Sequence, residues 1–418
     1  MSRTVFVKGT AVRPVVQVSD LLVLITPVKL LTNSRWRNID NIWSIGIKGR
    51  ILFLKQDDSH LYYSSSNSSI SQSLSTGDLV SDYFNLKVSV ADLYKQWSSK
   101  DPHFLKMTTP IKEEIPMLTS TASPSLSGIR MLRQDPWECL CCFICSSNNN
   151  IKRISQMVEN LCRHFGDHLG THAGIDYYDF PTPESLAPKD VEQKLRDLGF
   201  GYRAKYIQQT AEKLAKSDIN TLLSPLDDDS SAQTKVILSG TEYLHALRLA
   251  PYKRAHSALL QFTGVGPKVA DCVCLMSLDK HDCIPVDTHV WQIAKRDYNF
   301  KTKKTSGDKA TALTKAEYEE IGIFFKSLWG EFAGWAHSVL FTADLKDLNN
   351  GINGVEEATA GKATKRKRTK TETIQNPRKL KVEKHIEDTL VDEPKVSSST
   401  REQRLLNRRK NLYIDLNP

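Results

Sequence analysis

The sequence predicts a mostly α-helical fold with an antiparallel β-sheet at its N-terminal end, an α+β protein. Short β-rich runs alternate with turn residues over positions 15–63, which is typical of a small antiparallel sheet. From Leu79 onward the apolar residues recur at helical spacing. Residues 346–418 contain no Trp or Phe and a single Tyr, too little apolar area to offset the entropy of ordering. We therefore predict that the chain ends in a disordered basic tail.

The first predicted domain, residues 1–105, combines the sheet with helices. The helical spacing of Val90, Leu93 and Trp97 follows a Ser-rich loop at Ser64–Ser75. The candidate strands of the sheet are VVQV, LLVLI, IWSIGI, ILFLK and LYY.

A helical second domain is predicted over residues 128–345, joined to the first by a Ser/Thr/Pro-rich linker or loop at 106–127. Leu223–Thr234 is a predicted surface insertion, and the tail covers 346–418.

The charge of the chain is uneven. The net charge is +9, and residues 346–418 alone hold 17 Lys and Arg against 11 Asp and Glu. Basic clusters at 365–368 and 378–381 suit nuclear import or loose attraction to nucleic acid, and a merely solvated tail is the alternative. The first 37 residues hold six Lys and Arg against one acid, which hints at a mitochondrial form, although Leu21–Val28 also resembles a buried strand. We expect a nuclear protein.

Neither a membrane span nor a metal centre is expected. The longest apolar run, Cys139–Cys145, is far shorter than the roughly 20 residues that cross a bilayer. The eight Cys come without a recognisable secretory signal, so we expect reduced thiols. CLCCFIC has no partnering His, which favours buried thiols over zinc, and no cofactor is expected.

The segment from His256 to Tyr298 is the most informative. Apolar faces at Ala258, Leu259 and Phe262, and then at Val269, Cys272, Val273 and Met276, predict two helices over about 251–279, joined by TGVGPK. Gly264 and Gly266 allow a tight turn and close approach of another chain, and the amides that follow suit phosphate oxygens. An ordinary helix connection is the alternative.

Lys268 and Asp287 are the candidate reactive groups. Asp287 precedes THVWQIAK as an N-cap, where the helix end favours its anionic form. Lys268 lies at another helix N-terminus, which disfavours its ammonium and predicts a neutral amine that can attack a sugar C1′ and form a Schiff base. Each residue alone would be an everyday capping Asp or surface Lys.

At these residues the chain resembles the helix-hairpin-helix-GPD superfamily of DNA glycosylases, and within it the 8-oxoguanine DNA glycosylase/lyases. The resemblance covers most of residues 15–345, and four segments carry it: GVGPKVADCVCLMSLDK with PVDTHVW, LRQDPWECLCCFICSSNNNIKRI, LGFGYRAKY and SLWGEFAGWAHSVLFTADL. No Cys follows Cys283, so the iron-sulfur cluster of the endonuclease III branch is not expected.

The resemblance implies a bifunctional enzyme. Lys268 would displace the damaged base and then perform β-elimination, with Asp287 as its electrostatic and proton-handling partner. Double-stranded DNA holding a damaged guanine opposite cytosine would be the partner of a monomeric protein. The residues implied to contact DNA are Gly264, Gly266, Val269 and His289, together with Asn148, Arg153 and Arg203 at the widowed cytosine and Tyr202 as a wedge. Those implied to line the lesion pocket are Cys272, Met276, Pro285, His337 and Phe341.

Two positions depart from the family pattern. His337 replaces the Gln that reads the base edge, and its protonation would make binding pH-sensitive. Leu31 replaces a Gly whose carbonyl distinguishes 8-oxoguanine from guanine in the family. A glycosylase with shifted lesion specificity and a non-catalytic duplex-binding protein are therefore the alternative functions.

Overall fold

A computed structural model describes residues 35–57, 60–66, 75–109, 128–216, 240–301 and 313–344, and the backbone of Val7–Lys8. All of them belong to one compact unit, Met1–Val355. Several features of the sequence lie outside the described residues: VVQV, LLVLI, Leu31, most of the predicted linker, Leu223–Thr234 and the tail with its basic clusters. The domain boundaries stay a prediction.

The N-terminal sheet is antiparallel, as predicted, with strand order β1-β5-β4-β3-β2. The candidate strands IWSIGI, ILFLK and LYY are all confirmed. The five strands are β1 (Val7–Lys8), β2 (Arg37–Ile39), β3 (Ile42–Ile47), β4 (Arg50–Gln56) and β5 (Leu61–Ser65).

Strand β4 explains how the sheet is covered on both faces. Leu52 and Leu54 pack in one buried cluster with Leu79, while Ile51 and Phe53 pack on the other side with Tyr177. Because successive side chains of a strand point to opposite faces, the uninterrupted apolar run in β4 requires a cover on each face.

The second cover is a hairpin that the sequence did not predict. Strands β6 (His168–His172) and β7 (Ile175–Tyr178) pair through a two-residue turn, Ala173–Gly174, with φ of +50° and +74°. Positive φ at both turn residues matches the right-handed twist of a hairpin, but Ala rarely adopts it. Helices dominate the described chain after Gly128, as predicted, and this hairpin is an addition to them.

Helices make up the rest of the described chain. They are α1 (Thr76–Tyr83), α2 (Val90–Lys100), α3 (Pro102–Thr108), α4 (Pro136–Ser146), α5 (Ile151–Phe165), α6 (Pro183–Leu186), α7 (Asp190–Asp197), α8 (Arg203–Ala215), α9 (Gly240–Ala246), α10 (Tyr252–Leu259), α11 (Pro267–Ser277), α12 (Thr288–Asp297), α13 (Lys315–Trp329) and α14 (Ala333–Asp344), with a 3₁₀ turn at Gly330–Phe332 before the last. Among the described residues, none of these helices is long and apolar enough to span a membrane.

Helix α4 forms the centre of the core. Asp135 accepts hydrogen bonds from the amides of Trp137 and Glu138 and so fixes the start of the helix. The apolar run CLCCFIC is buried in α4, and all eight cysteines of the chain are buried and free, as predicted. Helix α4 packs against α11, the helix that carries Lys268.

One buried ion pair joins the sheet region to α4. Arg35 donates to Glu138 Oε2 at 2.7 Å and also to the carbonyls of Gly46 and Tyr178. Both charged side chains are more than nine-tenths buried.

Removing one partner of this pair is expected to be costly. Glu138→Ala leaves the Arg35 charge in a buried site, and we expect the free energy of unfolding to fall by about 3–5 kcal/mol. Chemical denaturation measures this, with Glu192→Ala as the control because Glu192 pairs with Arg196 on the surface. Equal losses for the two variants would contradict the prediction.

Candidate active site and nucleic-acid interface

The predicted helix-hairpin-helix is present as α10, a turn and α11. Gly264 has φ of +81°, and a Cβ added there would lie 2.3 Å from the Tyr206 ring. Two independent constraints therefore require glycine at this position: the backbone conformation and the close approach of the Tyr206 ring. Tyr206 was not singled out from the sequence.

Gly266 has a different role. Its φ of −100° is ordinary extended backbone, and nothing in the described structure lies within 4 Å of a Cβ placed there. No side chain among the described residues caps the N-terminus of α11. The first amides of α11, at Lys268 and Val269, therefore face an open surface suited to a phosphate.

Asp287 caps α12, as predicted. Its Oδ1 accepts hydrogen bonds from the amides of His289 (2.9 Å) and Val290 (3.0 Å). Because both capping bonds end on Oδ1, the other carboxylate oxygen, Oδ2, lies outside the cap. The cap fixes where this negative charge lies.

Three side chains, on α11, at the start of α12 and on α14, interact with the candidate nucleophile Lys268. Lys268 and Cys272 share one face of α11, and each is affected by the charge of Asp287 at the start of α12. The charges of Lys268 and Asp287 also act on His337 of α14. The structure therefore brings Lys268, Cys272, Asp287 and His337 into one site, which we call the reactive cluster.

The protonation state predicted for Lys268 is wrong. Its pKa lies above the ordinary value because interactions with Cys272, which include a hydrogen bond, and the negative charge of Asp287 outweigh burial. Burial raises the pKa of Cys272 to about 11, so this thiol is neutral at pH 7 and Asp287 supplies the opposing charge. The resting amine is therefore an ammonium and must lose a proton before it can attack.

Phe143 is a neighbour of the nucleophile that sequence reasoning missed. The Lys268 Nζ lies 5.3 Å from the centroid of the Phe143 ring. In the sequence, Phe143 is one letter of the apolar run in α4 and gives no signal beyond that of a core residue.

His337 is buried and neutral, which corrects the predicted pH sensitivity. Burial and the positive charge of Lys268 lower its pKa to about 4 in spite of the opposing effect of Asp287. Both ring nitrogens lack a hydrogen-bond partner in the described structure. A buried polar group without partners is costly, so the ring is suited to a ligand that supplies them.

Phe341 lies between two imidazoles at the edge of the reactive cluster. Its ring centroid is 6.0 Å from that of His337 and 5.9 Å from that of His289. His289 is exposed, and its Nδ1 lies 3.8 Å from an Asp344 oxygen, a neighbour that the sequence did not indicate. The remaining predicted pocket residues, Met276 and Pro285, are both buried. Met276 lies one helical turn after Cys272 in α11, and Pro285 lies two residues before Asp287 in the sequence.

The residues predicted to hold the widowed base form a second group. Arg203 donates to the carbonyls of Ser147 and Asn148, and its guanidinium lies 4.5 Å from the Tyr202 ring centroid. Tyr202 donates its hydroxyl to Ser147, leaving the side chain 45% exposed. Asn148 has φ of +49° and is exposed.

The residues predicted to hold the widowed base differ in how accessible they are to a ligand. Arg153 is exposed and donates to the Gly199 carbonyl, so it is available to a ligand after a small movement. Arg203 is only 3% exposed and holds the Asn148 loop from beneath. A contact between Arg203 and cytosine stays a prediction.

The described residues contain no group of three or more His, Cys, Asp or Glu side chains placed to hold a metal ion.

Comparisons with known proteins define the class of this fold and site. Residues 26–140 match the family model for the 8-oxoguanine DNA glycosylase N-terminal domain, and residues 141–317 match that of the HhH-GPD superfamily base excision DNA repair proteins. The solved structure of MBOgg1 with a low affinity DNA ligand superimposes with a TM-score of 0.59 at 27% identity, covering 82% of this chain and 96% of that one. The fold is that of a helix-hairpin-helix DNA glycosylase.

Two curated relatives narrow the class. The N-glycosylase/DNA lyase of Saccharomyces cerevisiae is 40% identical over 329 residues, 74% of this chain and 78% of the yeast protein. The N-glycosylase/DNA lyase OGG1 of Arabidopsis thaliana is 38% identical over 285 residues, 66% of each chain. The chain belongs to the N-glycosylase/DNA lyase family, enzymes of base excision repair.

Proposed function

We propose that the enzyme removes oxidised guanine, as 8-oxoguanine or formamidopyrimidine, from opposite cytosine through a Schiff base on Lys268. The observation that carries this proposal is the reactive cluster, in which an amine, a capped carboxylate and a buried neutral imidazole interact electrostatically. The match of residues 26–140 to an 8-oxoguanine DNA glycosylase domain supports the choice of lesion.

The first chemical step needs a neutral amine. The ammonium of Lys268 first gives up a proton to water, and the Asp287 carboxylate keeps its negative charge. The amine nitrogen then forms a bond to C1′ while the glycosidic bond breaks, and the base departs with the bonding electron pair and takes up a proton. The fixed negative charge of Asp287 stabilises the positive charge that develops on the sugar.

The second step uses the same covalent bond. The nitrogen of the C1′ adduct loses a proton and its lone pair forms a C=N bond as the C1′–O4′ bond breaks and O4′ takes up a proton. The ring-opened iminium ion acidifies C2′. Loss of a C2′ proton and cleavage of the C3′–O bond expel the 3′ phosphate and nick the strand. Hydrolysis of the Schiff base then regenerates Lys268.

Base removal from a duplex requires extrusion of the nucleotide. We propose that the exposed Tyr202 ring fills the vacated space and that Asn148 and Arg153 contact the widowed base. Amide and guanidinium donors fit the N3 and O2 acceptors of cytosine. The free amides at the start of α11 would hold a backbone phosphate.

Excision assays on four duplexes, with 8-oxoguanine opposite each normal base, test the lesion and the partner. We expect the cytosine duplex to be processed fastest and an undamaged duplex to stay intact. Equal rates on all four duplexes would remove the proposed partner preference, and no excision from any of them would contradict the proposed lesion.

His337 favours a second candidate function, in which the reaction is the same and the preferred lesion differs. A neutral imidazole offers one donor and one acceptor to a base edge, fewer than a Gln amide. The proposed test compares wild type with His337→Gln on 8-oxoguanine and formamidopyrimidine duplexes.

We expect His337→Gln to change the ratio of the two excision rates by about tenfold, the effect of roughly one hydrogen bond. Between pH 6 and 8 we expect duplex binding by wild type to lack a titration from His337, because its pKa of about 4 keeps it neutral. An unchanged ratio, or a binding transition near pH 6.5 that disappears in the variant, would contradict this role.

A further inference from the structure

The aromatic neighbour of Lys268 is a feature that the proposed function does not use. Phe143 lies in α4, and its ring centroid is 5.3 Å from the Lys268 Nζ, within the range of a cation–π contact. The side chain is 6% exposed and belongs to the main core, so the ring is held in place by packing.

We propose that Phe143 is a positioning residue for the nucleophile: its ring face holds the Lys268 ammonium within the reactive cluster until the amine loses its proton. The inference rests on the proposed Schiff-base function and adds an element to it, since the ring comes from α4, outside the hairpin. A ring attracts a cation and has no such attraction for a neutral amine. The contact therefore stabilises the position of the resting ammonium, and the attraction is lost when the amine gives up its proton.

The groups that face Lys268 set the sign of the expected pH effect. They are Cys272 on the same helix, Asp287 at the start of α12, His337 on α14 and Phe143 on α4. At neutral pH the thiol and the imidazole are uncharged, so the ammonium is favoured by the charge of Asp287, the hydrogen bond with Cys272 and the Phe143 ring. Loss of the ring should lower the pKa of Lys268 and shift amine reactivity to lower pH.

The experiment measures Schiff-base formation on a duplex with a preformed abasic site opposite cytosine, so that recognition of a damaged base plays no part. Timed borohydride quenching gives single-turnover rate constants from pH 7 to about pH 11.5, a range that extends past the ordinary lysine pKa of about 10.4. For Phe143→Leu we expect the midpoint of the rate–pH curve to fall by roughly half to one pH unit. Above both midpoints we expect the rate constant to fall about threefold to tenfold, because the amine is less well placed.

A fluorinated phenylalanine at position 143 separates the cation–π contact from packing. Fluorination weakens the attraction of the ring for a cation and nearly keeps its shape, so the midpoint should shift in the same direction as in Phe143→Leu. Phe104→Leu is the matched control: Phe104 is a fully buried aromatic that packs on Trp97 in the first part of the chain. We expect it to lower stability without moving the midpoint.

Two outcomes would overturn the inference: a wild-type midpoint in both position-143 variants, or an equal shift in Phe104→Leu. Each differs from failure of the proposed function, in which the wild-type protein itself forms no trapped adduct with the abasic duplex.

Discussion

Lys268→Gln is expected to abolish strand nicking and to reduce base excision by at least about 10³-fold. Glutamine keeps much of the length and polarity of lysine but has no basic amine, so no covalent bond to C1′ can form. The position lies in the first turn of α11 and is partly exposed, and we expect the fold to tolerate the change. Gel assays that separate excision from nicking measure both effects.

Lys194→Gln is the control for loss of a lysine. Lys194 pairs with Asp190 on the surface of α7, away from the reactive cluster in sequence, and such exposed pairs contribute little. We expect this variant to match wild type. Nicking that survives in Lys268→Gln would assign the nucleophile to another residue.

Asp287→Asn is expected to slow base excision by about 10²–10³-fold while duplex binding stays measurable. Asparagine caps a helix about as well as aspartate, so the start of α12 should keep its place. What is lost is the negative charge that faces Lys268 and the developing cation on the sugar.

Asp287→Ala separates the charge from the cap. It removes the charge and both capping hydrogen bonds, so we expect an additional stability loss of about 1 kcal/mol with a similar kinetic defect. If Asp287→Asn retains wild-type turnover and only Asp287→Ala is slow, the residue serves the helix and not the reaction.

Local sequence was sufficient to predict the hairpin and the cap. The two glycines of TGVGPK, the apolar periodicity on either side and an Asp before THVW are short-range signals, and the structure confirms the elements that they predict. The same holds for strands β3 and β4, whose apolar runs are bounded by turn residues.

Long-range contacts account for what the sequence could not reveal. The Lys268 pKa was predicted from its own helix end, whereas Asp287 of another helix helps to reverse the sign. Phe143 gains a role only because α4 packs against α11. Hairpin β6–β7 has Ala173 at positive φ in its turn, and Tyr177 of the hairpin packs on Ile51 and Phe53 of the distant strand β4.

The neutral state of His337 has the same origin. Its imidazole is buried, and this burial lowers its pKa to about 4. The neighbouring residues in the sequence do not predict that His337 is buried.

Reductive trapping tests the central claim most directly. The protein is incubated with a duplex holding 8-oxoguanine opposite cytosine in the presence of borohydride, and the cross-linked peptide is identified by mass spectrometry. We predict a covalent protein–DNA adduct on Lys268 that is absent from Lys268→Gln. Excision without any trapped adduct, or an adduct mapped to another residue, would contradict the account.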